Sequence, residues 1–200
     1  MRPDFTLRPA TPEDAVPLVD LIIMAGDGMP LHVWEAMREP GETVHDVGRR
    51  RACRTEGGFS YRNADVAVRG TSVISSVIAY PLDETPEPFD PSDVPPMFRP
   101  LLELEAMVPG TWYINVLATY PVARKTGAAT ALLSHVEARA RAAGHERLSI
   151  ITGDINPALF LYRRFGFEQQ ATRTIVKGDW SYEGTEWVLL TKDISKEQAA

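Results

Sequence analysis

The chain has 200 residues, of which 44% are apolar and 24% charged, and its formal net charge is −6. These proportions are typical of a soluble globular domain and exclude a disordered chain. The acidic balance argues against nucleic acid as a default partner and favours cationic substrates.

Targeting signals are not predicted from the sequence. No apolar run approaches the roughly 20 residues of a membrane span, and the first segment, MRPDFTLRPATPEDA, has acids and prolines where a signal peptide needs an apolar core. The only cysteine, Cys53, cannot form an internal disulfide and is typical of a reducing compartment. We therefore predict a cytoplasmic protein without a membrane partner.

The first half of the chain predicts a strand, helices and a hairpin. Phe5 and Leu7 alternate with polar residues as in a short strand. A helix is expected to begin at Thr11, because a hydroxyl cap is followed by proline and two acids. Weaker helices are predicted at about 32–38 and 42–54. Two β-rich segments then flank Gly70-Thr71, which indicates a hairpin.

The second half predicts alternating strands and helices. Residues 81–100 are rich in Pro and Asp and indicate an excursion over the surface. The strongest strand, 111–120, leads into a helix with one apolar face (Leu132, Leu133, Val136 and Ala140) that Gly144 ends. A strand at 147–152, a short helix at 157–165 and two closing strands follow. The order predicts the α/β class, with one mixed sheet flanked by helices.

The loop between the strand at 111–120 and its helix carries a candidate anion site. Small residues and two cations stand where the first helical amides have no acceptors and face the positive end of the dipole. This arrangement predicts a phosphate or pyrophosphate cradle. Neither a P-loop nor a Rossmann fingerprint is present. A plain strand–helix connection, with small residues for close packing, is the alternative.

Two motifs in this half carry a resemblance to a known family. RKTGAA, residues 124–129, resembles the [Q/R]-x-x-G-x-[G/A] signature of the GCN5-related N-acetyltransferase (GNAT) superfamily. NPALFLYRRFGF, residues 156–167, resembles the second signature of that family, and FTLRPATPEDA resembles its opening strand and helix. Lys125 departs from the pattern, because many members carry glycine there. The resemblance extends over about residues 5–194.

The resemblance implies a GNAT-like fold with a single central, mostly antiparallel sheet in one domain, 1–194, followed by a short polar tail, 195–200. It implies acetyl-CoA as cosubstrate and no metal. Pyrophosphate contacts are expected from the loop and the first helical turn (Arg124, Lys125, Thr126, Gly127, Ala128, Ala129 and Thr130). Pantetheine contacts are expected from backbone in the splayed strand (Val116, Leu117 and Ala118), and a polar contact from Asn156, which could equally cap the next helix.

The same resemblance implies a general acid, and the residues before the strand at 111–120 offer a base. Tyr162 lies where family members carry a tyrosine that protonates the leaving thiolate; packing beside phenylalanines is the alternative reading. For the base we favour Glu105: if 97–108 is helical, it lies inside the apolar arc, whereas Glu103 lies outside it near Arg99. Glu103 or a water chain remains open.

The function expected from these residues is N-acetyltransfer from acetyl-CoA to an amine by direct attack. Small amines, aminoglycoside-like antibiotics, amino acids and protein N-termini all remain open as acceptors, and so do a homodimer and acyl groups larger than acetyl. The alternative function is a non-catalytic acetyl-CoA-binding sensor or partner module on the same fold.

Overall fold

The computed structural model describes residues 4–86, 88 and 90–195. Two positions of the predicted surface excursion, 87 and 89, lie outside these residues. Residues 196–200 of the predicted C-terminal tail also lie outside them. Seven strands form the sheet: β1 Thr6–Pro9, β2 Ala64–Arg69, β3 Ser72–Pro81, β4 Trp112–Thr119, β5 Arg147–Gly153, β6 Glu168–Thr174 and β7 Glu186–Asp193. Six α-helices accompany them: α1 Ala15–Ala25, α2 Met29–Glu35, α3 Val44–Ala52, α4 Arg99–Glu105, α5 Ala128–Ala142 and α6 Ala158–Arg164.

The strand order is β1-β2-β3-β4-β5-β7-β6. The first three strands and the last three pair antiparallel, and the pair β4–β5 is parallel. The prediction of one mixed, mostly antiparallel sheet flanked by helices is confirmed. Two compact units contribute to it, one comprising residues 1–79 and 115–135 and the other 80–114 and 136–200.

In the first unit, the hairpin β2–β3 forms as predicted and three helices form in the predicted order. Helix α2, Met29–Glu35, begins three residues before its predicted start, and α3, Val44–Ala52, is shorter than the predicted 42–54. Gly70 has φ +59 in the two-residue turn, a conformation that glycine adopts without a steric penalty. The first helical turn begins as predicted, with Thr11 as the N-cap, Pro12 after it and a capping box between Thr11 and Asp14. The amide and hydroxyl of Thr11 both donate to Asp14, which also accepts two hydrogen bonds from Arg8. Those bonds from Arg8 hold the pKa of Asp14 below its ordinary value.

In the second unit, each face of the sheet packs against a helix. On one face α4 packs against β6 and β7, and Arg173 of β6 donates to Glu103 of α4. On the other face Lys192 of β7 donates to Glu137 of α5 at 2.6 Å. Since neighbouring residues of a strand point to opposite faces, this arrangement separates α4 from α5 by the thickness of the sheet.

Helix α5 buries the face that its sequence predicts. Leu132, Leu133, Val136 and Ala140 are all completely buried, and Arg141 donates to Glu137 one turn away. Gly144 follows the helix with φ +85, so it terminates the helix in the left-handed conformation. Because this apolar face is buried, α5 is held in place, and so is its first turn, where the anion cradle is predicted.

Candidate active site

The predicted anion cradle lies at the start of α5. A single 3-10 turn, Pro121–Ala123, ends β4, and the Thr126 hydroxyl donates to the Ala123 carbonyl at 2.8 Å. Helix α5 begins at Ala128, and the Ala131 amide donates to Gly127 at 2.9 Å. The three amides before Ala131 therefore lie in the first turn, where helical donors lack intrahelical acceptors.

The space around the cradle suits a phosphate group. Gly127 has φ +88, and a Cβ atom built there would meet no heavy atom within 4 Å. Arg124 and Lys125 are both exposed beside it, whereas Ala128 is buried and anchors the turn. Open space, bare amides and two cations are the components of an anion site at a helix N-terminus.

Lys125 adopts a conformation that its side chain disfavours. Its φ is +64, which lies in the left-handed region. A residue with a Cβ is less stable there than glycine by about 1–2 kcal/mol. The fold therefore accepts lysine here at a cost in stability.

Replacing Lys125 with glycine should raise the free energy of unfolding by about 0.5–1 kcal/mol, because relief of the left-handed strain exceeds the added entropy of the unfolded chain. Urea unfolding measures this change. Lys125→Ala is the matched control, since it removes the same charge but keeps the strain and should give no gain. Equal stability of the two variants would contradict the strain argument.

The segment of β4 predicted to hold pantetheine provides backbone groups. Its parallel register with β5 joins Trp112–Ile114 to Leu148–Ile150, and β4 continues to Thr119. The Ala118 carbonyl accepts a hydrogen bond from the Ser75 hydroxyl at 2.7 Å, which holds this end of the strand in place. Val116 and Ala118 are buried, and Leu117 is partly exposed.

Glu105 is the last residue of α4, and its carboxylate is partly buried against Tyr113 of β4. Burial raises the pKa of Glu105 to about 7, and a hydrogen bond from the Tyr113 hydroxyl opposes the rise. Tyr113 is itself buried, and its ring meets Tyr80 edge to face at 5.8 Å. Burial and the neighbouring carboxylate raise the pKa of Tyr113 well above its ordinary value, so its hydroxyl keeps its proton and donates.

Glu103 lies on the other side of α4. Its carboxylate is exposed and accepts a hydrogen bond from Arg173 of β6 at 2.8 Å. The sequence placed Glu103 near Arg99, but Arg99 instead donates to the Val94 carbonyl. The helical arc therefore separates the two glutamates as expected, with Glu105 inward and Glu103 in a surface ion pair.

Tyr162 lies in α6 and is 3% exposed. Its ring meets Phe167 edge to face at 6.0 Å, and burial raises the pKa of the phenol well above its ordinary value. The hydroxyl is therefore protonated throughout the neutral and alkaline range, which a proton donor requires. The aromatic packing expected under the alternative reading is also present.

Asn156 performs the capping role that its sequence position allows. Its side-chain oxygen accepts a hydrogen bond from the Ala158 amide at 2.9 Å, at the start of α6. The cap fixes the entry of the helix that carries Tyr162. The contact to a cofactor implied by the resemblance stays a prediction.

Two features of the site were not predicted from sequence. Tyr113 was interpreted only as a strand residue. In β4 it has the same parity as Asn115 and Leu117, which are partly exposed, so alternation alone gave no signal of its burial. The ring cluster of Trp180, Tyr182 and Trp187, which lies before and at the start of β7, was also missed. The spacing of Trp180 and Tyr182 by two residues was the available signal, since such residues share a face of an extended segment.

Metal and membrane features are limited in the described part of the chain. Over those residues, no group of three or more His, Cys, Asp or Glu could hold a metal ion. Within the same ranges no single helix is long and apolar enough to cross a membrane. Only the bent pair Pro12–Ala25 and Met29–Glu35, which turns by 113°, meets the length and composition test when taken together.

Comparison with known proteins identifies the family. The model of the Acetyltransferase (GNAT) family matches residues 34–167, so the chain belongs to the GNAT acetyltransferases. No curated protein matches the sequence.

Solved structures share the fold. An N-acetyltransferase from Staphylococcus aureus Mu50 is 22% identical with a TM-score of 0.63, covering 93% of this chain and 99% of its own. A polyamine N-acetyltransferase from Drosophila melanogaster, which forms N-acetylagmatine, is 15% identical with a TM-score of 0.65 over 94% of this chain and 99% of its own. A GNAT family acetyltransferase from Elizabethkingia anophelis with acetyl-CoA bound is 19% identical with a TM-score of 0.60. The match covers 96% of this chain and 99% of its own.

Proposed function

We propose that this protein transfers an acetyl group from acetyl-CoA to an amine by direct attack of the amine on the thioester. Residues 1–194 form one N-acetyltransferase domain in this proposal. A cytoplasmic location belongs to the proposal, in keeping with the free thiol of Cys53. Family membership and the acetyl-CoA bound by a neighbouring structure support the choice of cosubstrate.

The observation that carries the proposal is the pair Glu105 and Tyr113. A general base is most effective when its pKa lies near the working pH. Burial raises the pKa of Glu105 to about 7, so the carboxylate exists in both forms at neutral pH and can accept a proton from an ammonium group. Surface glutamates such as Glu103 have no such environment. We therefore assign Glu105 as the base, acting directly or through water.

The remaining roles follow from position and chemistry. The cradle residues Arg124 to Thr130 bind the pyrophosphate, and the backbone of Val116 to Ala118 binds the pantetheine arm. Tyr162 donates its proton to the departing thiolate, so that coenzyme A leaves as the neutral thiol. Asn156 fixes the start of α6 and contacts the cofactor. The acceptor ammonium loses one proton to Glu105 before the amine attacks the acetyl carbon, and the attacking nitrogen loses a second proton as the C–S bond breaks. That second proton restores, through solvent, the one that Tyr162 gave to the thiolate. The net products are therefore the amide, the coenzyme A thiol and one proton, which Glu105 releases to solvent.

Replacing Gly127 with glutamate should weaken coenzyme A binding by about tenfold or more, because a carboxylate would stand beside the pyrophosphate at the helix start. Calorimetric titration of coenzyme A measures the change. Gly127→Ala is the matched control: it imposes the same positive φ on a residue with a Cβ but adds no charge. Equal affinities of the folded glutamate and alanine variants would remove the phosphate assignment.

A further inference from the structure

Tyr80, near the end of β3, packs against Tyr113, the residue whose hydroxyl donates to Glu105. The two ring centroids are 5.8 Å apart and the ring planes are at 80°, the edge-to-face arrangement that aromatic pairs prefer. Tyr113 is 4% exposed, whereas Tyr80 is partly exposed. Contact with the ring of Tyr80 therefore restricts the positions that the ring of Tyr113, and with it the hydroxyl, can adopt.

The end of β3 is held against the start of β4 by backbone hydrogen bonds. The Leu82 amide donates to the Thr111 carbonyl at 2.9 Å, and the Gly110 amide donates to the Asp83 carbonyl at 3.1 Å. The two segments approach closely, because a Cβ atom added to Gly110 would clash with the carboxylate of Glu84. These contacts fix the two segments that carry the aromatic pair.

The chain between Glu105 and Tyr113 is a compact turn. The Val108 amide donates to the Glu105 carbonyl at 3.1 Å, and the Thr111 hydroxyl donates to the Val108 carbonyl at 2.9 Å. The Thr111 hydroxyl also lies 2.6 Å from the hydroxyl of Ser149 on β5, and both residues are buried. The backbone of Glu105 and Tyr113 is therefore fixed independently of their side chains, which leaves the position of the Tyr113 ring to its neighbours.

Two influences set the pKa of Glu105: burial raises it, and the hydrogen bond from Tyr113 lowers it. Helix α4 packs against β6 and β7. The charged residues on the α4 side of these strands are Arg173 and Glu168 of β6 and Asp193 of β7. The first donates to Glu103, and the other two are exposed. The hydrogen bond from Tyr113 is therefore the polar contact through which a neighbouring residue can change the basicity of Glu105.

We propose that Tyr80 is a positioning residue for the candidate base, because its ring holds the ring of Tyr113 where the Tyr113 hydroxyl reaches Glu105. This inference rests on the proposed function, in which Glu105 takes a proton from the acceptor ammonium. Without a ring at position 80, the ring of Tyr113 can move away, and the hydrogen bond is formed for a smaller fraction of the time. The carboxylate form then loses part of its stabilisation, so Glu105 becomes more basic.

Replacing Tyr80 with leucine should raise the midpoint of the pH dependence of kcat/KM by about 0.5–1 pH unit, because a hydrogen bond to the charged carboxylate is weakened. Tyr80→Phe keeps the ring and should stay within about 0.2 unit of the wild type. A residue that only fills space would lower the melting temperature in Tyr80→Leu and leave the midpoint in place, which would overturn the proposal. Equal shifts in the two variants would also overturn it, since the ring would then be irrelevant. Tyr80→Met gives the same test if the leucine variant does not fold.

A double variant shows whether the effect of Tyr80 passes through Tyr113. Tyr113→Phe already lacks the hydroxyl that reaches Glu105, so adding Tyr80→Leu should move the midpoint by less than about 0.2 unit more, because changes at residues in contact do not add. A further shift as large as that of Tyr80→Leu alone would overturn the proposal, because Tyr80 would then act on Glu105 by another route.

Carbon-13 NMR titration of the glutamate carboxyl groups makes the test independent of turnover. The signal of Glu105 is the one that is absent from Glu105→Gln. If its midpoint rises in Tyr80→Leu while no amine is acetylated, the positioning role stands and the proposed function fails. If amines are acetylated but the kinetic and NMR midpoints of Tyr80→Leu equal those of the wild type, the proposed function stands and the positioning role of Tyr80 is overturned.

Discussion

Replacing Tyr162 with phenylalanine should lower kcat by about 10²–10⁴-fold, which corresponds to roughly 3–5 kcal/mol of barrier. The substitution removes one hydroxyl and keeps the ring that packs against Phe167. The leaving thiolate would lose its proton donor, while affinity for acetyl-CoA and the melting temperature should change little. Steady-state kinetics with an acceptor for which chemistry limits the rate measures the loss.

The control for Tyr162 separates chemistry from packing. Phe167 meets the ring of Tyr162, and it is 2% exposed. Phe167→Leu should therefore lower the melting temperature without a comparable loss in kcat, because no polar group is removed. If Tyr162→Phe turns over at the wild-type rate, Tyr162 serves only to pack the core and the thiolate leaves unassisted.

Replacing Glu105 with glutamine should lower kcat/KM more at neutral than at alkaline pH, because a deprotonated amine needs less help from a base. In the wild type the rate should rise with pH through about 7, the pKa to which burial raises Glu105. The variant should lose this limb. Glu103→Gln is the matched control from the same helix and should change the rate by less than about twofold, since Glu103 is exposed and pairs with Arg173.

Tyr113 provides a second test of the rise in rate with pH that is assigned to Glu105. The hydrogen bond from its hydroxyl lowers the pKa of Glu105, so Tyr113→Phe should shift the midpoint of the pH profile upward. A structural role alone would change stability and leave the midpoint in place. Equal pH profiles for Glu105→Gln and Glu103→Gln would refute the assignment of the base.

The raised pKa of Glu105 also predicts how stability depends on pH. The dependence has the opposite sign to that of a carboxylate whose pKa is lowered by folding. Between its ordinary pKa and about 7, the folded protein holds a proton that the unfolded chain releases, so stability falls as pH rises through this window. Glu105→Gln removes this dependence and should raise the free energy of unfolding at neutral pH by about 1–3 kcal/mol. A gain in stability with a loss in rate is the signature of a functional buried carboxylate.

Local patterns in the sequence were sufficient for the parts of the site that lie within one element. The cradle is a strand, a loop and a helix in succession, and the apolar arc of α4 separated Glu105 from Glu103. The hairpin at Gly70 and the buried face of α5 also follow from short-range periodicity and turn chemistry.

The contacts that join distant elements could not be read from the sequence. The hydrogen-bond partner of Glu103 is Arg173, 70 residues away on β6, whereas the nearby Arg99 donates to Val94. The hydroxyl that donates to Glu105 belongs to Tyr113 of the next strand, β4, and its direction depends on how α4 packs against that strand. The left-handed conformation of Lys125 depends on backbone geometry that no side-chain pattern encodes. The face on which Trp187 lies depends on the pairing of β5, β6 and β7, which no local pattern encodes.

The most direct test of acetyltransfer is the release of coenzyme A thiol from acetyl-CoA, measured across a panel of amines together with mass spectrometry of the products. The proposed function predicts thiol release that depends on the amine and that equals the amount of acetylated amine. The rate of this release should fall by about 10²–10⁴-fold in Tyr162→Phe. Coenzyme A binding without turnover above background hydrolysis, on every amine of the panel, would contradict it and favour a non-catalytic acetyl-CoA sensor.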